Sequence, residues 1–322
     1  MFAVFKRNSF MKIGISACLL GESVRYDGGH KLDKYLRDLL GKYVTYVPVC
    51  PEKECGLPVP REAMRLVGDV EAPRLVTNRT GQDHTQRMQS WAQNRLDELE
   101  GENLCGFIFK SKSPSSGMER VKVYNQKGHP VPRGRGIFAA MFMERFPLLP
   151  VEEEGRLNDD NLRENFITRI FVYSRWKELL EQGFSISGLM DFHTRHKLLL
   201  MAHNVNAYRQ LGKLVASAKE YDPEELAREY IARLMSALQY KATIKKNVNV
   251  LQHIMGYFKK DLTRDEKQEL LEVIHNYSQS LVPLIVPITL LNHYVRKYDQ
   301  PYLKEQVYLN PHPLELKLRN HV

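Results

Sequence analysis

The chain changes its hydrophobic rhythm near its midpoint. Up to about residue 150, short apolar runs alternate with helix-like stretches; beyond about 155, apolar positions recur at helical spacing with little interruption. In the first half, "KIGISAC" (12–18), "KYVTYVPVC" (42–50), "LCGFIFK" (104–110) and "RVKVYN" (120–125) read as strands. Between the first two lies "GHKLDKYLRDLLGK", with Leu32, Tyr35, Leu36 and Leu39 at helical spacing. Between the second and third, "DHTQRMQSWAQNRLDELEG" predicts a helix ending at Gly101. Strands alternating with helices imply an α/β domain with a mainly parallel sheet and flanking helices. In the second half, "NLRENFITRIFVYSRWKELLEQG", "ISGLMDFHTRHKLLLMAHNVNAYRQLGKLVASA", "PEELAREYIARLMSALQY" and "TRDEKQELLEVIHNYSQSLV" predict amphipathic helices. The expected architecture is an α/β domain over 11–150 followed by an all-α domain over 156–322. No tandem repeat or low-complexity tract is visible.

Composition narrows the class. A length of 322 residues, 43% hydrophobic content and mixed charge describe a soluble globular protein of two domains. No apolar run reaches the roughly 18–20 residues of a membrane span, so no membrane partner is expected. The start, "MFAVFKRNSFMKIGIS", lacks the apolar core of a signal peptide; with Met11 just before the first strand, the first ten residues read as an upstream start or a loose extension. Four cysteines are too few for a disulfide scaffold and suggest reduced thiols in a cytoplasm. Of the net charge of +9, residues 1–150 hold 23 Lys+Arg against 16 Asp+Glu, so the basic surplus lies mostly there. Such a half suits a polyanion such as RNA, and equally an ordinary solvated surface.

The candidate chemistry sits in three loops, each following a strand: "SACLLGESVRYDGGH" (16–30), "CPEKECGLPVPRE" (50–62) and "KSKSPSSG" (110–117). Ligands of parallel sheets bind outside the carboxyl ends of the strands, where these loops lie. Cys18, Cys50 and Cys55 fall on that side. Cys105 opens its strand at the opposite end and reads as a small buried hydrophobe. Three soft thiolates suit an iron–sulfur cluster or zinc, though a structural zinc normally wants a fourth ligand. The residues alone leave cluster, zinc and no metal open. Glu52, two residues from Cys50, suits a general base or a loop cap. Lys110, Lys112, Arg120, Lys122, Lys127, Arg133 and Arg135 crowd residues 110–135 against the single acid Glu119, with Tyr26 and Tyr124 as stacking surfaces, a composition that fits RNA contact. His193, His196 and His203 share a helical face, open to a metal but more simply read as hydrogen-bonded histidines.

"SACLLGESVRYDG", "PVCPEKECGLPVPRE" and "KSKSPSSGMERVKVYN" resemble the DUF523 family, whose members include thiouracil desulfidases. "FVYSRWKELL" and "LMDFHTRHKLLLMAHN" resemble DUF1722, which occurs fused behind that domain. The resemblance implies a [4Fe–4S] cluster on three cysteines and hydrolytic, non-redox removal of sulfur from thiolated uracil, the open iron acting as Lewis acid. The fused form is associated with thiouridine, including 4-thiouridine in tRNA. Carried over, Cys18 and Cys50 match two cluster cysteines, Glu52 the acid of Cys-Pro-Glu, and Ser113 the catalytic-type serine of Ser-Pro-Ser. At the position where the family commonly has a third cysteine, this chain has Ser116. It also carries Cys55, where many relatives have none, and Cys55 is expected to serve as the third ligand, with Cys105 as the fallback. The rival readings are an RNA-binding protein with a structural zinc or no metal, and a salvage enzyme for free thiouracil.

Overall fold

The computed structural model describes residues 11–321. The expectation about the first ten residues lies outside them. The chain divides into two compact units, with the division between Asp159 and Asp160.

The first unit is α/β. Its elements are β1 (Lys12–Ser16), β2 (Thr45–Val49), α1 (Pro51–Glu54), β3 (Met64–Gly68), β4 (Pro73–Thr77), α2 (Thr85–Gly101), β5 (Gly106–Phe109), β6 (Val121–Tyr124), β7 (Pro130–Gly134), α3 (Ile137–Arg145) and β8 (Val151–Glu153). One sheet runs β2-β1-β5-β8, and every pairing in it is parallel. Ile13 lies opposite Tyr46, and Phe107 opposite both Gly14 and Val151. β5 is buried along its whole length, as parallel strands covered on both faces are. Phe107 and Phe109 meet Phe138 and Phe142 of α3 at ring-centroid distances of 4.6–6.3 Å, forming an aromatic core under the sheet.

A second sheet was not foreseen. It runs β4-β3-β6-β7 with antiparallel outer pairs and a parallel β3–β6 centre. The strand expected at 120–125 belongs here rather than beside β5. "MRLVG" and "PRLVT" each keep only a short apolar alternation, which hid β3 and β4 behind the Pro- and Gly-rich loop before them. The helix expected between β1 and β2 is short and irregular, a wide π-helical turn (Tyr35–Leu39) running into a tight 3-10 turn (Leu40–Lys42), each anchored by a buried leucine. β8 follows residue 150 and closes the edge of the parallel sheet.

The second unit is helical: α4 (Asp160–Glu181), α5 (Ile186–His203), α6 (Val205–Ala216), α7 (Pro223–Leu238), α8 (Ile244–Met255), α9 (Arg264–Ser278), α10 (Ile285–Lys297) and α11 (Pro301–Lys304), joined by short turns. The stretch expected as one helix from 186 breaks at Asn204, whose φ of −155° is extended and whose side chain accepts the Ala207 N–H as the cap of α6. Among the described residues, no helix is long and apolar enough to cross a membrane.

Candidate active site

β1, β2 and β5 are adjacent and parallel, so the loops leaving their carboxyl ends converge. The first carries Cys18 in a tight turn, Ala17–Leu20. The second starts with Cys50, continues as the short helix α1 with Pro51 at its first position, and ends at Cys55. The third is the serine loop, tied back when the Lys110 N–H donates to Ser16 Oγ at 2.9 Å.

Glu52 is the hub. Ser115 Oγ donates to Glu52 Oε1 at 2.6 Å. Glu52 Oε2 lies 3.7 Å from the Cys50 thiol and 3.7 Å from Arg61 Nη2. Arg61 is itself pinned, donating through Nη1 to the Val24 carbonyl at 3.0 Å. Ser115 has one hydroxyl proton, and it is given to Glu52. Ser113 must therefore donate in the 3.0 Å Ser113–Ser115 contact, and Ser116 in the 3.3 Å Ser116–Ser115 contact. Ser113 Oγ meanwhile accepts the N–H groups of Ser115 and Ser116 at 3.3 and 3.2 Å. The result is a hydroxyl relay from Ser113 through the fully buried Ser115 to the carboxylate.

Two glycines let the serine loop lie where it does. A Cβ on Gly136, just before α3, would sit 2.4 Å from the Ser115 carbonyl carbon. One on Gly117 would sit 2.4 Å from a Val121 methyl and 2.8 Å from the Ser113 carbonyl oxygen.

The thiols of Cys18, Cys50 and Cys55 are buried. Burial first, and the Glu52 charge second, push Cys18 up to about 11 and Cys50 up to about 12. Burial also raises Cys55, with Glu52 adding to it and Arg87 opposing. All three thiols therefore share Glu52 as a charged neighbour. Cys55 differs in its surroundings: its Sγ contacts the Glu52 carbonyl at 3.3 Å, while Leu57, Leu66, Leu75 and Met88 pack in the same apolar cluster. Cys105 stays at the other end of the sheet, its N–H donating to the Lys12 carbonyl at 2.8 Å. Among the described residues, no group of three or more His, Cys, Asp or Glu could hold a single metal ion. A cluster is a wider body than one ion, and its ligands stand farther apart. Cys18, Cys50 and Cys55 are soft, buried and free of disulfides, the donor type that such a cluster takes.

The expected nucleic-acid residues divide. Lys110 is engaged by Glu154 and by Ser111. Lys112, Arg120 and Lys122 are exposed, as is Tyr26 at 44%, with Arg25 stacked over its ring at 5.4 Å. Sequence reasoning named Glu52 and Ser113 but neither Arg61 nor Ser115, side chains that meet the Glu52 carboxylate. Arg61 closes the same proline-rich loop, which was its one visible signal.

The three histidines on α5 are buried and turned to local partners. Nδ1 of His193 meets the Tyr230 hydroxyl at 3.0 Å, that of His196 the Phe192 carbonyl at 2.7 Å, and that of His203 the Tyr240 carbonyl at 2.6 Å. Burial depresses them to about 4, 3 and 4 respectively, so they are neutral hydrogen-bonding groups.

Residues 13–154 match the family model described as 2-thiouracil desulfurase, and residues 197–313 match the model for DUF1722, a protein family of unknown function. The chain belongs to the 2-thiouracil desulfurase family in its first unit and to the DUF1722 family in its second. An uncharacterized Escherichia coli protein, YbgA, is 30% identical over 165 residues, which is 51% of this chain and 98% of YbgA. An uncharacterized Bacillus subtilis protein, YbbK, is 28% identical over 150 residues, 45% of this chain and 97% of YbbK. A solved structure, the [4Fe-4S]-dependent thiouracil desulfidase TudS, is 30% identical, covers 46% of this chain and 94% of its own, and superposes with a TM-score of 0.38. Membership of the desulfurase family makes a thiolated pyrimidine the substrate class of the first unit. The Glu52–Ser115 pair and the buried thiols lie in the loops beyond the carboxyl ends of β1, β2 and β5.

Proposed function

We propose that the protein is a hydrolytic desulfidase of thiolated uracil and uridine, with a [4Fe–4S] cluster held by Cys18, Cys50 and Cys55. The observation that carries the reading is Glu52, set between the Cys50 thiol and the Ser115 hydroxyl at the carboxyl ends of three parallel strands. When bound, the cluster would supply a Lewis-acidic iron for the departing sulfur. Glu52 takes a proton from the water that adds to the thiolated ring carbon, and its second oxygen stays fixed by Ser115. Ser113 holds Ser115 in place by donating to it and orients the pyrimidine. Thiocarbonyl and water become carbonyl and hydrosulfide with one released proton, so no oxidant or reductant is consumed.

The exposed Lys112, Arg120 and Lys122 beside the serine loop, with Tyr26 open for stacking, favour a nucleotide within RNA, such as 4-thiouridine in tRNA, over the free base.

The test is anaerobic purification followed by an absorption spectrum, iron and sulfide analysis, and hydrosulfide release from 2-thiouracil, 4-thiouridine and 4-thiouridine-bearing tRNA. A brown protein with about four irons per chain that releases hydrosulfide carries the proposal. A colourless protein inactive on all three substrates sinks it. Cys55→Ser is expected to lose the visible absorption and the iron; full retention of both would remove Cys55 from the ligand set.

A further inference from the structure

The helical unit contains a cavity of about 430 Å³ that the desulfidase chemistry does not use. That volume lies within the range of small-molecule sites. Its floor is a closed polar triad: Asn247, buried, donates to the Tyr277 hydroxyl at 3.1 Å and accepts from the Tyr308 hydroxyl at 3.0 Å. Arg319, also buried, fixes one wall by donating to Glu164 at 3.1 Å and to the Tyr308 carbonyl at 2.7 Å. These bonds pre-form the cavity without filling it.

Three side chains present polar atoms to the space. His203 lines it, and its Nδ1–H is committed to the Tyr240 carbonyl, so the neutral ring turns a bare Nε2 acceptor away from that bond. Thr168, 2% exposed, also lines it and brings a hydroxyl that can both donate and accept. Asn165 donates its amide to the Leu238 carbonyl at 2.9 Å, which leaves Oδ1 as a second acceptor. Two acceptors and a hydroxyl match the N–H and C=O edge of a nucleobase. At the rim stand the exposed Lys241 and the start of α8, where Thr243 caps the Lys246 N–H at 3.4 Å. A helix start beside a lysine favours a phosphate. A cation is disfavoured, because Glu164 is the carboxylate among the lining residues and Arg319 already holds it.

We propose that this cavity binds a nucleoside monophosphate, either as the free nucleotide or as one nucleotide of an RNA strand. The base enters between Thr168, Asn165 and His203, and the phosphate stays at the rim with Lys241. The proposal concerns the second unit alone and stands or falls separately from the desulfidase reading.

The test is calorimetric titration of the full chain with 5′-UMP, 5′-AMP, uridine and a 5′-phosphorylated RNA trinucleotide, repeated on Thr168→Val and Lys241→Ala. Valine keeps the shape of threonine, and Lys241 is exposed, so neither change threatens the fold. Thr168→Val should weaken every ligand that binds by about tenfold, and Lys241→Ala should weaken phosphorylated ligands by about tenfold while sparing uridine. This pattern with a mononucleotide establishes the free nucleotide as the ligand; the pattern with the trinucleotide alone establishes an RNA source. Absence of binding by all four at millimolar concentration overturns the proposal. So does binding indifferent to both substitutions, which would place the ligand elsewhere on the chain.

Discussion

Glu52 touches more of the site than any cysteine does. One oxygen accepts the Ser115 hydroxyl at 2.6 Å, and the other faces Arg61 and the Cys50 thiol. Glu52→Gln keeps the size and loses the base. It is expected to cut hydrosulfide release by at least about a hundredfold, the usual worth of a general base, while iron content stays unchanged. Assay and metal analysis on one preparation separate the two. Ser115→Ala removes a hydrogen bond to an ionised group, worth about 1.5–3 kcal/mol, and should lower turnover by about ten- to a hundredfold. Ser113→Ala leaves the Ser115–Glu52 bond in place, so a smaller loss in kcat than Ser115→Ala is expected; the reverse order would make Ser113 the reacting hydroxyl. The sequence singled out Ser113 and not Ser115, because which hydroxyl meets Glu52 depends on how the loop turns toward α1.

At the scale of elements, the serine loop is held by backbone fit as well as by its hydroxyls. The Ala139 N–H donates to the Ser115 carbonyl at 3.1 Å, and the Gly136 N–H to the Gly117 carbonyl at 2.8 Å, which fastens the loop to the start of α3. Asn204 does comparable work in the helical unit. Its extended backbone ends α5 and its side chain starts α6, turning what the apolar periodicity presents as one long helix into two. Asn204→Ala is expected to cost about 1 kcal/mol, the usual worth of an N-cap, read as a lower urea midpoint with an unchanged slope. An unchanged midpoint would mean that tertiary packing alone sets the break. The break was overlooked because Val205, Leu211 and Val215 keep the helical rhythm across Asn204, and periodicity does not register a backbone turn.

At the scale of the whole molecule, four buried histidines of the helical unit link stability to pH. His193 and His203 are depressed to about 4, His196 and His312 to about 3, by burial above all. A histidine whose folded value lies below its unfolded value of about 6.5 binds its proton more readily in the unfolded chain. Stability from these groups is therefore complete above about pH 6.5 and is lost as pH falls toward 4, at about 2 kcal/mol per histidine by pH 5. Urea unfolding at pH 7.5 and pH 5 is expected to show a marked loss at the lower pH. His196→Gln should reduce the pH dependence; an unchanged dependence would point to the carboxylates instead.

The sequence by itself determined the fold class of both units, the placement of the three chemical loops after strands, and the helical nature of the second half. These are local properties: apolar period, turn residues and strand ends are set within a few positions of each residue. Only the tertiary structure decided that β6 joins β3 in a second sheet, that Ser115 rather than Ser113 meets Glu52, and that Arg61 joins them. It also decided that His203, Thr168 and Asn165 face one cavity. Each of these depends on contacts between residues distant along the chain, where strand pairing, loop direction and side-chain burial are fixed together by packing, and no local pattern records the outcome.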